Sequence, residues 1–297
     1  MKALIYYGPE DIRMEERPVP EAGPDDVIVK LKRAAICGSD ITAYRLGGET
    51  VGIFPKGTFG LDGQFGHEMV GVVSSIGKNI TDIAVGDRVF INPMTCKRNG
   101  MLSCDLAGAF SEYVLVEDAQ YGNNLFKLQE SVPFDEAVIL EPLAVGTHGK
   151  NCVDVKPYEH VVVFGAGTIG LCTLNALLAA GVTNPVVVDL NEDRLSLAKE
   201  MGGIPFNSST DGDLKEFIFA RFGTVENKFM VKCADVDVYI DCAGAPGILD
   251  QVISFAKPDA RVSIVAIYRN PIAFPIAPFS ASRLSLKGSC GYDMSDI

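Results

Sequence analysis

Short apolar runs separated by Gly, Pro and Asp clusters make up most of the first 145 residues. Four of these runs are predicted β-strands, at residues 27–31, 70–76, 88–91 and 112–116. Short strands bounded by turn residues, with little helical periodicity between them, are typical of an all-β unit. The segment 45–66 is rich in glycine and poor in periodic apolar positions, so we expect a long loop there.

The pattern changes after about residue 145, where apolar runs begin to alternate with helical segments. The predicted strands cover 160–164, 185–189, 236–241 and 261–267, and the predicted helices cover 168–180 and 192–201. Strands that alternate with helices form βαβ units, whose strands lie parallel in one sheet. We therefore predict a β-rich unit followed by an α/β unit, with the boundary between Val145 and Lys156.

One apolar stretch, 161–188, contains no charged residue and is long enough to cross a membrane. It also contains several glycines and an Asn184-Pro185 break, which argue against a continuous helix facing lipid. A buried parallel strand, a tight turn and a buried helix account for the same composition. We therefore expect no membrane span.

Composition and charge narrow the classes of function. The chain has 297 residues, of which 47% are hydrophobic and 22% charged, as in a globular protein. Acidic residues outnumber basic ones by 38 to 26, and the net charge of −12 argues against a nucleic-acid partner, which requires clustered Lys and Arg. Eight cysteines are too few for a disulfide scaffold, and the N-terminus shows no cleavable signal, so we expect a cytoplasmic protein.

A glycine-rich turn marks a candidate dinucleotide site. Gly165, Gly167 and Gly170 follow a predicted strand and open a predicted helix, which is the context in which the GxGxxG pattern binds a pyrophosphate. Asp189 ends the next strand, where its carboxylate would accept hydrogen bonds from the adenosine ribose and favour NAD over NADP. Two alternatives stay open: the glycines serve packing only, or the turn binds S-adenosylmethionine, as in a methyltransferase.

Cys37 and His67 are candidate metal ligands in the β-rich unit, and Glu68 directly follows the histidine. Thiolate, imidazole and carboxylate are the usual ligands of Zn²⁺, and a catalytic zinc needs only three protein ligands. The 30 residues between Cys37 and His67 do not form a motif by themselves. A core cysteine and a surface His–Glu pair would account for these residues one at a time.

Five segments occur in order along the chain: Cys37-Gly-Ser-Asp40, Gly66-His67-Glu68-Met-Val-Gly71 with Gly77 and Ile80 following, Gly86-Asp-Arg-Val89, Glu141-Pro-Leu-Ala-Val145, and the Gly-Ala-Gly-Thr-Ile-Gly turn. Together they resemble the zinc-dependent medium-chain alcohol and polyol dehydrogenases, from Met1 to about Tyr292. The Glu-Pro-Leu segment is most similar to the sorbitol, butanediol and galactitol-phosphate branch. The resemblance implies a GroES-like, zinc-binding catalytic β domain over 1–145 and a Rossmann NAD-binding domain with a doubly wound parallel sheet over 146–297.

The resemblance also implies a reaction and a set of site residues. The enzyme would transfer a hydride between a secondary alcohol, a polyol or vicinal diol, and NAD, using one catalytic Zn²⁺, and it would form a dimer or tetramer. Ser39 would take the substrate's hydroxyl proton. The metal residues would be Cys37, His67, Glu68 (as a ligand or a neighbouring carboxylate) and Glu141 (directly or through a water). The cofactor-binding residues would be Gly165, Gly167, Thr168, Ile169, Gly170, Asp189 and Arg194, with 243–245 lining the same cofactor.

The sequence departs from the family pattern in three places. Of the four clustered cysteines that hold a structural zinc in many members, only Cys96 and Cys104 are present, so we expect no second zinc. Thr42 stands where some members have a relay histidine, so the proton would leave through Thr42, the ribose or water. The chain ends at Ile297, where the family's return segment to the β domain would follow, and a non-catalytic NAD-binding homologue is therefore one alternative. A zinc-free quinone or enone reductase is another, which the candidate metal ligands disfavour.

Overall fold

The computed structural model describes residues 1–47, 63–98, 101–102, 108–268 and 270–297. Their contacts form two compact units, Met1–Glu141 and Pro142–Ile297. The predicted change of pattern, at about residue 145, lies close to this division. Cys104 and most of the predicted loop 45–66 lie outside the described residues.

An antiparallel sheet forms the centre of the first unit. The described strands of this unit are β1 (Lys2–Gly8), β2 (Asp11–Glu16), β3 (Val27–Ala35), β4 (Glu68–Ile76), β5 (Arg88–Ile91), β6 (Lys97–Arg98), β7 (Met101–Leu102), β8 (Tyr113–Val116) and β9 (Leu125–Lys127). The helices are α1 (Gly38–Leu46), α2 (Phe134–Ala137) and α3 (Leu140–Asn151), whose first residues belong to this unit. The central sheet has the order β8-β3-β4-β5-β9, and two further pairs, β1-β2 and β6-β7, stand apart from it.

Apolar side chains on one face of the central sheet form the core of the first unit. Val27 and Val29 of β3 belong to the same buried cluster as Met69 and Val73 of β4. Side chains two residues apart point to the same face of a strand, so this spacing turns one face of each strand inward. The predicted strands at 27–31, 70–76, 88–91 and 112–116 are confirmed, with small differences at their ends.

A six-stranded parallel sheet forms the centre of the second unit. The described strands are β10 (Val161–Phe164), β11 (Val186–Asp189), β12 (Ile204–Asn207), β13 (Thr224–Glu226), β14 (Lys232–Ala234), β15 (Val238–Asp241), β16 (Arg261–Ile264) and β17 (Ser285–Gly288). The helices are α4 (Thr168–Ala179), α5 (Glu192–Met201), α6 (Leu214–Phe222), α7 (Ile248–Phe255) and α8 (Ile276–Ala281), with a 3₁₀ turn at Met294–Asp296. The sheet has the order β12-β11-β10-β15-β16-β17, and β13 pairs with β14 as a separate hairpin.

Both faces of the parallel sheet are buried. Val162 and Phe164 of β10 belong to a cluster with side chains of α6 and α7, whereas Val161 and Val163 belong to a cluster with side chains of α4 and α5. Helices on both faces make every position of a central strand apolar, which explains the continuous hydrophobic run. The uncharged stretch 161–188 is β10, α4 and β11, as predicted. Within the described ranges, the helices lack the length and apolar character that a membrane crossing requires.

Helix α1 differs from the sequence-based expectation. It continues into the predicted loop as far as Leu46. Only Asp40, Thr42 and Ala43 of this helix are buried, so its apolar periodicity is weak. Its beginning is stabilised locally, since the backbone N–H of Cys37 donates to Asp40 Oδ2 at 2.8 Å.

The glycine turn between β10 and α4 depends on close packing of its own backbone. Gly165 has a φ of +98°, which glycine adopts readily. A Cβ at Gly170 would lie 1.8 Å from the carbonyl oxygen of Gly165, so only glycine fits there. A Cβ at Gly167 would meet nothing within 4 Å, although this glycine caps α4.

We expect Gly170→Ala to lower the free energy of unfolding by about 2 kcal/mol or more, because the clashing atoms are backbone and cannot rotate away. Gly167→Ala is the matched control and should change it by less than about 1 kcal/mol. Urea denaturation followed by circular dichroism measures both values. Equal stability of the two variants would contradict this account of the turn.

Candidate active site

Three potential metal ligands converge at one end of the β3–β4 pair. Ala35, the last residue of β3, is paired with Glu68, the first residue of β4. Cys37 follows β3 by two residues and His67 precedes β4 by one. One ligand atom from each of Cys37, His67 and Glu68 lies within 4.8 Å of the other two. The antiparallel register therefore closes the 30-residue gap that the sequence leaves between the cysteine and the histidine.

Gly66 fixes the backbone just before the histidine. Its φ is +87°, and a Cβ at this position would lie 2.6 Å from Cε2 of the Phe110 ring. Its carbonyl oxygen accepts a hydrogen bond from the N–H of Ala109 at 3.1 Å. Both the positive φ and the close Phe110 ring favour glycine at position 66. The backbone conformation of this glycine orients His67 toward the other two ligand residues.

Cys37 is partly exposed, whereas the other two members of the group are buried, as is the neighbouring Asp40. His67, Glu68 and Asp40 are each no more than 5% exposed. Burial raises the pKa of Glu68; the charge of His67 lowers it, that of Asp40 raises it, and a hydrogen bond with Cys37 lowers it, with a net increase. A bound cation would offset the cost of burying these carboxylates, because it supplies the missing positive charge.

The donor set fits zinc. Zn²⁺ is bound by thiolate, imidazole and carboxylate at about 2.0 to 2.3 Å, so ligand atoms around one ion lie within roughly 4 Å of one another. The three atoms of this group need little movement to reach that arrangement. Three protein ligands leave a further coordination position, which is the arrangement of catalytic zinc sites.

Ser39 lies in the first turn of α1, two residues after Cys37. Its hydroxyl oxygen is buried, and it has no hydrogen-bond partner among the residues that the structure describes. A buried hydroxyl without a partner is costly, and such groups often serve a ligand or a reaction. The hydroxyl of Thr42 donates to the carbonyl oxygen of Gly38 at 2.8 Å.

The remaining candidate residues of the first unit are Glu141, Cys96 and Cys104. Glu141 is 5% exposed in the first turn of α3 and is not a member of the described group whose ligand atoms lie within 4.8 Å. Its role as a metal residue stays a prediction. Cys96 is buried in the apolar core, and Cys104 lies outside the described residues.

The glycine turn of the second unit is tied to Asp189. The N–H of Ala166, inside the turn, donates to Asp189 Oδ2 at 2.6 Å, and the N–H groups of Leu190 and Asn191 donate to Oδ1 at 2.7 and 2.9 Å. Asp189 is therefore held between the end of β11 and the turn.

Helix α4 begins at Thr168, so its first N–H groups, including those of Thr168, Ile169 and Gly170, have no partner within the helix and can bind an anion. Arg194 lies in the first turn of α5 with an exposed side chain. Its backbone N–H donates to Asn191 Oδ1 at 3.0 Å. The predicted cofactor residues thus lie around one edge of the sheet, at the carboxyl ends of β10 and β11.

A cavity of about 570 Å³ lies beyond the carboxyl ends of β15 and β16. The loop after β15 contributes Ala243 and Gly244, and the loop after β16 contributes Ile267 and Tyr268. Residues 243–245 were predicted to line a cofactor, and 243–244 line this cavity. No sequence motif marks Tyr268. The nearest signal was Asp241, a charged residue at the end of a predicted apolar strand.

His148, Asp293 and Asp296 form a second group of ligand-type atoms, within the second unit. His148 Nδ1 and Asp296 Oδ2 are 2.7 Å apart, and the amide of Asn151 donates to Asp296 Oδ1 at 2.6 Å. Burial raises the pKa of Asp296, but the hydrogen bonds from the Asp293 N–H, Asn151 and His148 lower it, with a net decrease. The group is satisfied internally and has the form of a structural ion pair.

Comparisons with known proteins show the family of the chain. Residues 23–130 match the family described as alcohol dehydrogenase GroES-like domain, and residues 168–297 match zinc-binding dehydrogenase. The chain is 31% identical to (R,R)-butanediol dehydrogenase of Bacillus subtilis, over 98% of this chain and 85% of that protein. It is 32% identical to sorbitol dehydrogenase 1 of Saccharomyces cerevisiae, over 99% of this chain and 84% of that protein.

Solved structures show the same fold. The crystal structure of 2R,3R-butanediol dehydrogenase from Bacillus subtilis matches with a TM-score of 0.83 at 29% identity, covering 98% of this chain and 84% of that one. A structure described as a short chain alcohol dehydrogenase from E. coli CFT073, complexed with NADH, matches with a TM-score of 0.80 at 28% identity, covering 98% and 84%. The predicted architecture, a GroES-like domain followed by a Rossmann-type parallel sheet, is confirmed. The chain belongs to the zinc-binding alcohol dehydrogenase family, among the medium-chain polyol and butanediol dehydrogenases.

Proposed function

We propose that the chain oxidises a secondary alcohol of a polyol or vicinal diol to the ketone, and catalyses the reverse reduction, with one catalytic zinc and NAD. The observation that carries this proposal is the convergence of ligand atoms from Cys37, His67 and Glu68 within 4.8 Å. A zinc-free reductase has no use for these three residues. In this proposal residues 1–145 form the zinc-binding catalytic domain, and residues 146–297 form the NAD-binding domain.

Cys37, His67 and Glu68, here called the metal group, each have a defined role in this proposal. Cys37 and His67 supply thiolate and imidazole, and Glu68 either binds the ion or neutralises it from the adjacent position. Glu141 is the remaining ligand, directly or through a water. When bound, the zinc polarises the alcohol oxygen and lowers its pKa, and the nicotinamide accepts the hydride.

The chain's own residues handle the proton. Oxidation of a secondary alcohol removes a hydride from carbon and a proton from oxygen, and leaves a ketone. Ser39 accepts the hydroxyl proton while it gives up its own, since its buried oxygen has no described hydrogen-bond partner and lies two residues from Cys37. The proton then leaves through Thr42, the cofactor ribose or water.

The second unit holds a nicotinamide dinucleotide, and we propose that it selects NAD. The N–H groups at the start of α4 receive the pyrophosphate, and Gly167 leaves room for it, because nothing lies within 4 Å of its Cβ position. In this proposal Asp189 accepts hydrogen bonds from the adenosine ribose, and its charge repels a 2′-phosphate. The NADH complex of a relative supports a nicotinamide cofactor of this kind.

We further propose a cytoplasmic homo-oligomer, a dimer or tetramer. The seven described cysteines are free thiols, which fits a reducing compartment. Strand β17 is an edge of the parallel sheet with all four residues exposed, so a second copy can pair with it.

Zinc content tests the metal group. We expect about one zinc per chain in wild-type protein purified without chelators and none in Cys37→Ala, because the thiolate is a direct ligand. Cys96→Ala, which removes another buried thiol of the same unit, should retain about one zinc. Elemental analysis measures all three. A folded wild-type protein without zinc would overturn the proposed chemistry.

Kinetics of Ser39→Ala test the proton acceptor. We expect kcat for alcohol oxidation to fall about 100-fold, within the range that general acid–base groups contribute, with zinc content unchanged. Ser74→Ala is the matched control, since the Ser74 hydroxyl donates to the carbonyl oxygen of Ile28 in the same unit, and it should lower kcat by less than about threefold. An unchanged kcat in Ser39→Ala would contradict its role as the proton acceptor.

Cofactor preference tests Asp189. We expect Asp189→Asn to reduce the ratio of kcat/KM for NAD to that for NADP by about tenfold, since the charge that repels the 2′-phosphate is lost. Asp193→Asn, an exposed acidic residue in the first turn of α5, is the control and should leave the ratio unchanged. The same ratio in both variants would contradict the selection of NAD by Asp189.

A further inference from the structure

Asp241 connects two loops at the carboxyl ends of the parallel strands. It is the last residue of β15, and it is 1% exposed. Its Oδ1 accepts hydrogen bonds from the N–H groups of Ala243 and Gly244, each at 2.9 Å. Its Oδ2 accepts one from the hydroxyl of Tyr268 at 2.6 Å. A buried carboxylate is thus satisfied by the loop after its own strand and by the loop after β16.

Direct packing reinforces the link between these loops. Gly244 has a φ of +64°, and a Cβ there would lie 3.1 Å from Cβ of Ala266 and 3.3 Å from the carbonyl oxygen of Ile267. The backbone N–H groups of Val265 and Ala266 both donate to the carbonyl oxygen of Asp241, at 2.9 Å. The backbone thus holds the start of the loop after β16 against Asp241, and Tyr268, farther along the same loop, adds a side-chain contact to that residue.

The loop after β15 also packs closely against the glycine turn. A Cβ at Gly165 would lie 3.2 Å from both Cβ and N of Ala243. The position of Ala243 depends on Asp241, which accepts its N–H. Tyr268 is therefore connected through one carboxylate and one loop to the turn that receives the pyrophosphate.

The order of the strands indicates which half of the dinucleotide would lie beside Asp241. Strand β10 lies between β11, which carries Asp189, and β15, which carries Asp241. A dinucleotide spans such a sheet at the point where the strand order reverses, with one mononucleotide on each side. Asp189 marks the adenosine side. The cavity of about 570 Å³ beside Ala243, Gly244 and Tyr268 consequently lies on the nicotinamide side.

We infer that Tyr268 is a positioning residue for the nicotinamide half of the cofactor, acting through Asp241 to hold the 243–247 loop. This inference rests on the proposed use of NAD. Burial and the hydrogen bond to Asp241 raise the pKa of Tyr268, so its hydroxyl stays a proton donor over the working pH range. The hydroxyl is the single group that Tyr268→Phe removes, and the ring that lines the cavity is kept.

Equilibrium binding of NADH and of AMP to the zinc-loaded full chain tests this role. We expect Tyr268→Phe to raise the Kd for NADH about tenfold, because without this hydrogen bond the loop would occupy its binding position in only about one tenth of the molecules. AMP contains only the adenosine half, and its Kd should change less than about twofold, which is below the smallest effect expected from one lost hydrogen bond. Tyr158→Phe, at a residue that is 83% exposed, is the control and should match wild type for both ligands.

A conservative variant separates positioning from simple damage to the fold. In Asp241→Asn the amide oxygen still accepts from the loop N–H groups, and the amide N–H can donate to the oxygen of Tyr268. We expect the Kd for NADH to stay within about threefold of wild type in this variant, since the connection persists.

Three results would overturn the inference. An unchanged Kd for NADH in Tyr268→Phe would show that the hydroxyl does not position the loop. Equal losses for NADH and AMP would indicate general damage. Wild-type protein that binds AMP but not NADH would overturn the proposed cofactor and this inference together, whereas the first two results leave the proposed function intact.

Discussion

The antiparallel pairing of β3 with β4 is the constraint on which the metal group depends. Ala35 and Glu68 form the last pair of this ladder, so the chain leaves β3 toward Cys37 at the point where it enters β4 from His67. The side-chain period of a strand is two, and a slip of one residue would turn Glu68 to the opposite face. The buried apolar face of both strands fixes the register, because such a slip would expose it. The core of the first unit thereby sets the distances within the site.

In the second unit, two carboxylates hold the loops that follow neighbouring parallel strands. Asp189 and Asp241 end the strands on either side of β10, and each accepts backbone N–H groups of the loop that follows it. Each also reaches one group outside its own loop, namely the N–H of Ala166 and the hydroxyl of Tyr268. Both carboxylates are thus compensated by fixed donors, which is compatible with acidic groups lining the proposed site for a polyanionic cofactor.

Elements with a strong local pattern were predictable, and those stabilised by packing were not. The buried runs of β10 and β11 and the turn between β10 and α4 are evident from the sequence. Helix α3 contains Pro142, Gly146 and Gly149, which argue against a helix when considered alone. In the structure a Cβ at Gly146 would lie 2.6 Å from the backbone N of Thr173, so the glycine permits close packing of two helices. Strand β2 has no buried residue, and it forms only because β1 supplies its partner.

The sequence by itself determined the types of chemistry: a glycine turn before a helix, an aspartate after the next strand, and thiol, imidazole and carboxylate side chains suited to zinc. These are local features, since each depends on residue type and on spacing within one or two elements. Only the tertiary structure brings the Cys37 and His67 side chains together, because their approach follows from the register of two strands. It also decided that Tyr268 meets Asp241, since hydrogen bonds between loops of neighbouring parallel strands have no signature in the order of residues along the chain.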